Sequence, residues 1–274
     1  MSSSNFLSKI IERKKERLAE SKSARTLEEL RREALSARAG ARRHVFRGAL
    51  AHAGRVNVIA EFKRASPSKG EIRVGASARE TARAYERGGA AAVSVLTEED
   101  FFRGSLRDLA EVKESVRLPV LRKDFIFEDY QVFESAAAGA DALLLIVAAL
   151  EDATLARLLS LAVEELGLDA LVEVHTAAEL ERALGAGAQL VGVNNRDLHT
   201  FEVSLETSFG LAALAPRGTL LVSESGLRDA ADIARLRACG FGAFLVGETL
   251  MRAERPEEAL RALISPTEIH NAPT

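Results

Sequence analysis

Residues 56–70 read VNVIAEFKRASPSKG, and the rest of the chain repeats their design. Val56, Val58 and Ile59 form a short β-branched run of the kind that makes a buried strand. At its exit stand Glu61, Lys63, Arg64, Ser66, Ser68 and Lys69. Side chains alternate along an extended chain, so Glu61 and Lys63 point to one side and Phe62 to the other. If that side is a barrel interior, an acid and an ammonium face one another at its rim. On its own the stretch reads equally as a solvated, salt-bridged loop. The remainder of the chain decides between the two.

Seven further short apolar runs succeed it: Ala91–Leu96, Pro119–Leu121, Ala142–Val147, Ala170–Val174, Leu190–Val193, Thr219–Val222 and Ala243–Val246. Between them lie amphipathic segments expected to be helices, at Ala78–Arg87, Leu106–Glu114, Tyr130–Ala138, Leu155–Leu166, Ala177–Leu184, Ala230–Ala238 and Pro256–Leu263. Gly88, Gly139, Gly167, Gly187 and Gly240 stand where those helices should stop. Strands that are apolar throughout and alternate with helices require a parallel sheet covered by helices. At roughly 26 residues per unit, eight units suit an α/β chain closed as a (β/α)8 TIM barrel. An open doubly wound sheet is the runner-up, but it would carry a GxGxxG loop after its first strand, and none stands there.

The expected organisation is one domain over residues 1–274, with a barrel at 56–264, a helical extension at 1–55 and a tail at 265–274. Two helices are expected between about Asn5 and Ala39, broken at Ser23–Thr26, with a polar connector over Gly40–Gly54. Arg13, Lys14, Lys15 and Arg17 are interleaved with Glu12, Glu16 and Glu20, which reads as a solvated helix face rather than a nucleic-acid footprint.

The chain has 274 residues, 47% hydrophobic and 28% charged, with a formal net charge of −3. No global basic field draws it to nucleic acid or to a membrane surface. No apolar run reaches spanning length, and the N-terminus lacks the apolar core of a signal peptide. Cys239 is the only cysteine, so no internal disulfide forms. The expectation is a cytoplasmic protein acting on a small molecule, a monomer or weak homodimer. With no further domain after PTEIHNAPT, it is expected to be monofunctional.

A barrel gathers its chemistry at the C-terminal strand ends. Those ends carry Glu61 and Lys63; Thr97 to Phe102; Arg122, Lys123, Asp124 and Phe125; Glu173; Asn194, Asn195, Arg196 and Asp197; Glu224, Ser225 and Gly226; Gly247 and Glu248. Ionisable groups in otherwise apolar strands are expensive to bury unless paired. One is readily structural, but several on one rim point to a site. Its acids require no metal, because Lys63, Lys123 and Arg196 balance them, and no cofactor is implied. His175 and His199 lack ligand spacing and read as surface histidines. Glu98 and Asp100 read as loop-solvating.

The ordered set FKRASPS, LTEEDFFRGS, LRKDFI, LVEVH, VGVNNRDL and SESG resembles the indole-3-glycerol phosphate synthase family, and so do the helices that precede the first strand. The resemblance implies ring closure, decarboxylation and dehydration of 1-(2-carboxyphenylamino)-1-deoxyribulose 5-phosphate, a carboxy-lyase reaction of tryptophan biosynthesis. It implies Lys123 as the general acid of ring closure, with its pKa brought toward neutrality by burial or neighbouring cations. Glu173 is implied as the dehydration base and Lys63 as its acid partner and carboxylate counter-ion. Glu61 and Asn194 are implied to hold the ribulose hydroxyls, Arg196 the carboxylate, and Glu224 the hydroxyl-bearing region. Ser225, Gly226 and Gly247 suit the phosphate, with Ser66 and Lys63 closing over it from the first loop. Glu248 departs from the small polar residue expected beside that dianion. Phe102, Phe125 and Leu145 are expected to line the slot for the aromatic ring, and the run RASPSKGEIR to form a lid.

Three rivals stand beside this. A sugar-phosphate isomerase barrel would need a cysteine and aspartate pair, and Cys239 lies in the wrong place. A Schiff-base aldolase would use a strand-end lysine. A phosphometabolite-binding subunit would have no reason to retain buried ions.

Overall fold

The computed structural model describes residues 6–197 and 200–265. Its eight barrel strands are β1 (Asn57–Phe62), β2 (Ala92–Leu96), β3 (Val120–Lys123), β4 (Ala142–Ile146), β5 (Asp169–Val174), β6 (Leu190–Asn194), β7 (Leu220–Glu224) and β8 (Ala243–Val246). All neighbours pair in parallel, and β8 closes on β1 with Val58 opposite Phe244 and Ala60 opposite Val246. The result is a closed (β/α)8 barrel.

Period-two alternation sorts each strand into two cores. In β1, Val58, Ala60 and Phe62 pack outward among the helices, while Ile59 packs inward with Leu121, Leu144, Leu171, Val222 and Leu245. The helices that cover the barrel begin where side chains cap them. Ser77, Ser105, Thr176 and Asp229 each accept from a backbone N–H in the first turn of α4 (Ala78–Gly88), α5 (Leu106–Ser115), α8 (Ala177–Gly185) and α10 (Ala230–Ala238). The remaining cover is α6 (Asp129–Ala137), α7 (Asp152–Ser160), α9 (Glu206–Ala212), α11 (Glu248–Arg252) and α12 (Pro256–Ile264).

The extension holds α1 (Phe6–Ala24) and α2 (Leu27–Arg38), and the expected break is built by Thr26, which forms a reciprocal capping box with Glu29. The connector is more than a polar loop. It contains α3 (Val45–Leu50), whose fully buried Phe46 and Leu50 plug the N-terminal end of the barrel. As expected, α4 stops at the Gly88-Gly89 pair: Gly88 is its last helical residue and Gly89 reverses the chain at a left-handed φ of 93°. The long helix expected at Leu155–Leu166 is α7 passing into a π-turn at Leu161–Glu165. Within the RASPSKGEIR run, expected to form a lid, a short hairpin pairs Ala65–Ser66 with Gly70–Glu71, and Arg64 at its base donates to Asp108 at 2.6 and 2.7 Å. Beyond residue 265 the expected tail lies outside the described residues, as does His199.

Candidate active site

The same alternation that fills the barrel with Ile59 and Leu171 turns the next inward positions, Glu61 and Glu173, into the barrel mouth. Lys123, Asn194 and Glu224 occupy the equivalent ends of β3, β6 and β7, and Lys63 lies one residue beyond β1. All six line one cavity of about 840 Å³.

Lys123 is its electrostatic centre. Its Nζ lies 3.0 Å from Glu173 Oε2 and 3.0 Å from Glu224 Oε2. Lys63 Nζ lies 2.8 Å from Glu61 Oε1. Glu61, Glu173 and Glu224 are buried. Burial would lower the Lys123 pKa, but Glu173, Glu224 and Glu61 outweigh it and hold the ammonium above its ordinary value. The expected drop toward neutrality is therefore corrected, because the neighbours are acids and not cations.

Two ammoniums, Lys123 and Lys63, among three carboxylates leave an acid short. Burial, together with repulsion from Glu173 against the pull of Lys123, pushes Glu224 up to about 7. Glu173 goes the other way: burial raises it, but Lys123 and His175 outweigh that and hold it below the usual carboxylate value. Glu61 Oε2 and Glu224 Oε1 are buried with no hydrogen-bond partner. Buried acceptors of this kind suit the hydroxyls of a ligand. Gly247 makes room for this cluster, since a β-carbon there would collide with Glu61 Oε1.

One end of the cavity is apolar. Phe102 and Phe125 face each other with centroids 6.1 Å apart, beside Leu96, Leu144 and Ile146. Leu145 is corrected out of this slot, because it points outward into the helix layer. The roof comes from α1, whose Phe6, Leu7 and Ile10 line the cavity; Phe6 packs edge-on to Phe101 and Phe201 at 5.3 and 5.4 Å. The other end is polar. Ser66, Ser225, Gly226, Gly247 and Glu248 line it, with Lys69, Arg228 and Arg252 added. Ser225 holds a left-handed φ of 66°, unusual for a residue with a side chain and of the kind found at functional turns. The Glu248 carboxylate is held by Arg252 at 3.1 Å and by Lys69 at 3.9 Å. Arg196 also lines the cavity, with its guanidinium donating to the carbonyl of Phe201.

Several neighbours differ from their sequence reading. Asp124 does not take Lys123; it pairs with Arg122 at 2.9 Å and Lys14 at 3.0 Å. Lys14 is consequently buried, while Arg13 and Arg17 grip Asp100, so the basic cluster of α1 clamps that helix to the loop after β2 and is only partly a solvated face. Glu98 is buried and accepts the backbone N–H groups of Asp100, Phe101 and Phe102, which makes it a loop organiser rather than a solvating charge. Glu98, Glu99 and Asp100 are the acids grouped closely enough for a metal among the described residues, and all three are engaged in these contacts. His175 is no surface histidine; its ring lies between Glu173 and Glu179. Sequence reasoning missed Phe6, Leu7, Phe201, Arg228 and Arg252 as cavity residues. No local pattern marks them, since they reach the mouth only through tertiary packing.

Residues 7–263 match the family model described as indole-3-glycerol phosphate synthase. Among solved structures, thiamine phosphate pyrophosphorylase from Pyrococcus furiosus is similar with a TM-score of 0.58 at 17% identity, covering 76% of this chain and 93% of that one. KGPDC from Streptococcus mutans is similar with a TM-score of 0.59 at 14% identity, covering 76% and 95%. At these identities both likenesses show the barrel fold alone.

Proposed function

This chain belongs to the indole-3-glycerol phosphate synthase family, and on that premise we propose that its cavity converts 1-(2-carboxyphenylamino)-1-deoxyribulose 5-phosphate to indole-3-glycerol phosphate, CO2 and water. The observation that carries the reading is the shape of the charge. A lysine fixed as ammonium stands between an aromatic slot and a basic, glycine-bearing end, with three buried carboxylates around it.

The substrate's aromatic ring fits between Phe102 and Phe125, and its phosphate fits the backbone at Ser225, Gly226 and Gly247, where loops after the last two strands bind such groups. Glu61, Asn194 and Glu224 accept the ribulose hydroxyls, while Lys63 and Arg196 face the carboxylate. Ring closure forms a bond from the carboxylate-bearing aromatic carbon to the ketone carbon. Lys123 gives its proton to the oxygen as the charge builds there. Loss of CO2 returns its bonding pair to the ring. Glu173 then removes a proton from the carbon beside nitrogen while Lys63 protonates the departing hydroxyl. Two protons are given and one taken, so each turnover consumes one proton from solvent.

A Schiff-base reading fits less well, because it needs Lys123 as a free amine and the three acids oppose that. Among the described residues no helix is long and apolar enough to cross a membrane. We place the enzyme in the cytoplasm, as a monomer or weak homodimer working without a metal or cofactor. The test is indole fluorescence on adding the substrate. The chain has no tryptophan, so the signal comes from product alone. Signal from the parent, lost in Lys123→Ala and Glu173→Gln while both stay folded, supports the reading. Silence from a folded parent that binds the substrate makes this a binding protein instead.

A further inference from the structure

His175 is the one imidazole packed against the reaction's carboxylates among the described residues. Its backbone N–H donates to Glu179 Oε2 at 2.7 Å, and its ring Nδ1 lies 3.2 Å from the same oxygen. An ionised carboxylate only accepts, so Nδ1 carries the hydrogen. Glu179 is itself fixed in the first turn of α8, where its N–H donates to the Thr176 hydroxyl. On the far side of the ring, Nε2 is buried, has no hydrogen-bond partner and lies 3.5 Å from Glu173 Oε1. Two lone pairs facing each other there would repel, so the gap calls for a proton. The other oxygen of Glu173 is already taken by Lys123, at 3.0 Å.

We propose that His175 is a positioning residue for the reaction: as an imidazolium anchored on Glu179, it keeps Glu173 ionised and turned so that Oε2 meets Lys123. This rests on Glu173 being the dehydration base. The charges acting most strongly on the ring are Glu179 from α8, Glu173 from β5 and Glu224 from β7, all acids. Burial works against the cation, yet those acids outweigh it and hold the ring above the ordinary histidine value. Glu173 responds in the opposite sense, its carboxyl kept low by Lys123 and then by His175. Without the cation Glu173 keeps Lys123 and Asn194 but loses its second positive charge and becomes easier to protonate, which spoils a base. A histidine that merely filled space would need neither the acid behind it nor the one in front.

The experiment combines NMR of 15N-histidine-labelled protein with the pH dependence of kcat and KM for the parent, His175→Asn, His175→Gln and Glu179→Gln. Both ring nitrogens of His175 are expected to be protonated at pH 7 in the parent. The ring's titration midpoint should fall by about one pH unit or more in Glu179→Gln and in Glu173→Gln. The acid limb of kcat should move up by about one unit in His175→Asn, with a smaller rise in Glu179→Gln and less change in KM than in kcat. His175→Gln, which can still donate toward Glu173, should recover part of kcat at pH 8 without restoring the limb. A ring that is neutral at pH 7, or a kcat lowered equally at every pH with the limb unmoved, overturns the proposal while turnover by the parent leaves the function standing. A parent without turnover overturns both, and the NMR midpoints then report only whether ring and carboxylate share a proton.

Discussion

Gly192 and Glu224 lie against each other inside the barrel: a β-carbon on Gly192 would collide with Glu224 Oε1. Gly192 lies two residues before Asn194 on β6, and Asn194 pairs with Glu224 across to β7. The empty space beside one strand is thus what lets the neighbouring strand place a carboxylate against Lys123. Gly192→Ala should displace Glu224 and lower kcat/KM by roughly 10²-fold with the fold intact. Near-parent activity in a folded Gly192→Ala protein would remove Glu224 from the machinery.

Glu224 also makes stability depend on pH. Its folded pKa, about 7, lies above the ordinary 4.5, so the folded chain binds more protons than the unfolded one between those values. Stability from this group is complete below about pH 4.5 and is lost as pH rises through 7. Glu224→Gln, which carries no charge to bury, should therefore melt higher than the parent at pH 8. The gap should close on acidification toward pH 4.5. Thermal melts across this pH range decide it, and a gap that is constant with pH excludes the linkage.

Asp124 has the opposite sign. Burial raises its carboxyl, but Lys14 and Arg122 outweigh that and hold it at about 2, below the ordinary 3.8. Its contribution is present above about pH 4 and is lost as pH falls toward 2. Lys14→Met removes one of the two cations and frees α1 from Asp124 and Glu99. The expected cost is about 3 kcal/mol in urea denaturation at pH 7, with acid unfolding moved to higher pH. A loss below about 1 kcal/mol would mean that Lys14 behaves as an ordinary surface charge.

Glu248 sets a carboxylate beside the loops read as binding the phosphate, restrained by Arg252 and Lys69. Removing the charge leaves both cations free for the dianion. Glu248→Gln should lower KM about threefold at low ionic strength, an effect that shrinks as salt rises, as for a half-exposed charge. If KM rises instead, Glu248 works by ordering Lys69 and Arg252, and its charge is an asset to the site.

The rim charges were legible in the sequence because each stands alone at the end of an apolar strand, where a buried ion is conspicuous. Phe102 and Phe125 were legible for a similar reason, flanking those charges. Leu145 was not. In ALLLIV every position is apolar, so the period-two signal vanishes and nothing local says which leucines face inward. His175 and Glu98 were misjudged because burial of a loop residue depends on what packs over it.

By itself, then, the sequence determined that strands alternate with helices, that the strands lie buried in a parallel sheet, and that acids and lysines gather at their C-terminal ends. Those properties follow from local periodicity and from the cost of burying charge. Only the tertiary structure decided which charges meet. Lys123 finds Glu173 and Glu224 because barrel closure brings β3, β5 and β7 to one layer, and α1 reaches the mouth because Lys14 finds Asp124, a residue far from it along the chain. Strand register and helix docking set those encounters, and neither is written in any one stretch of residues.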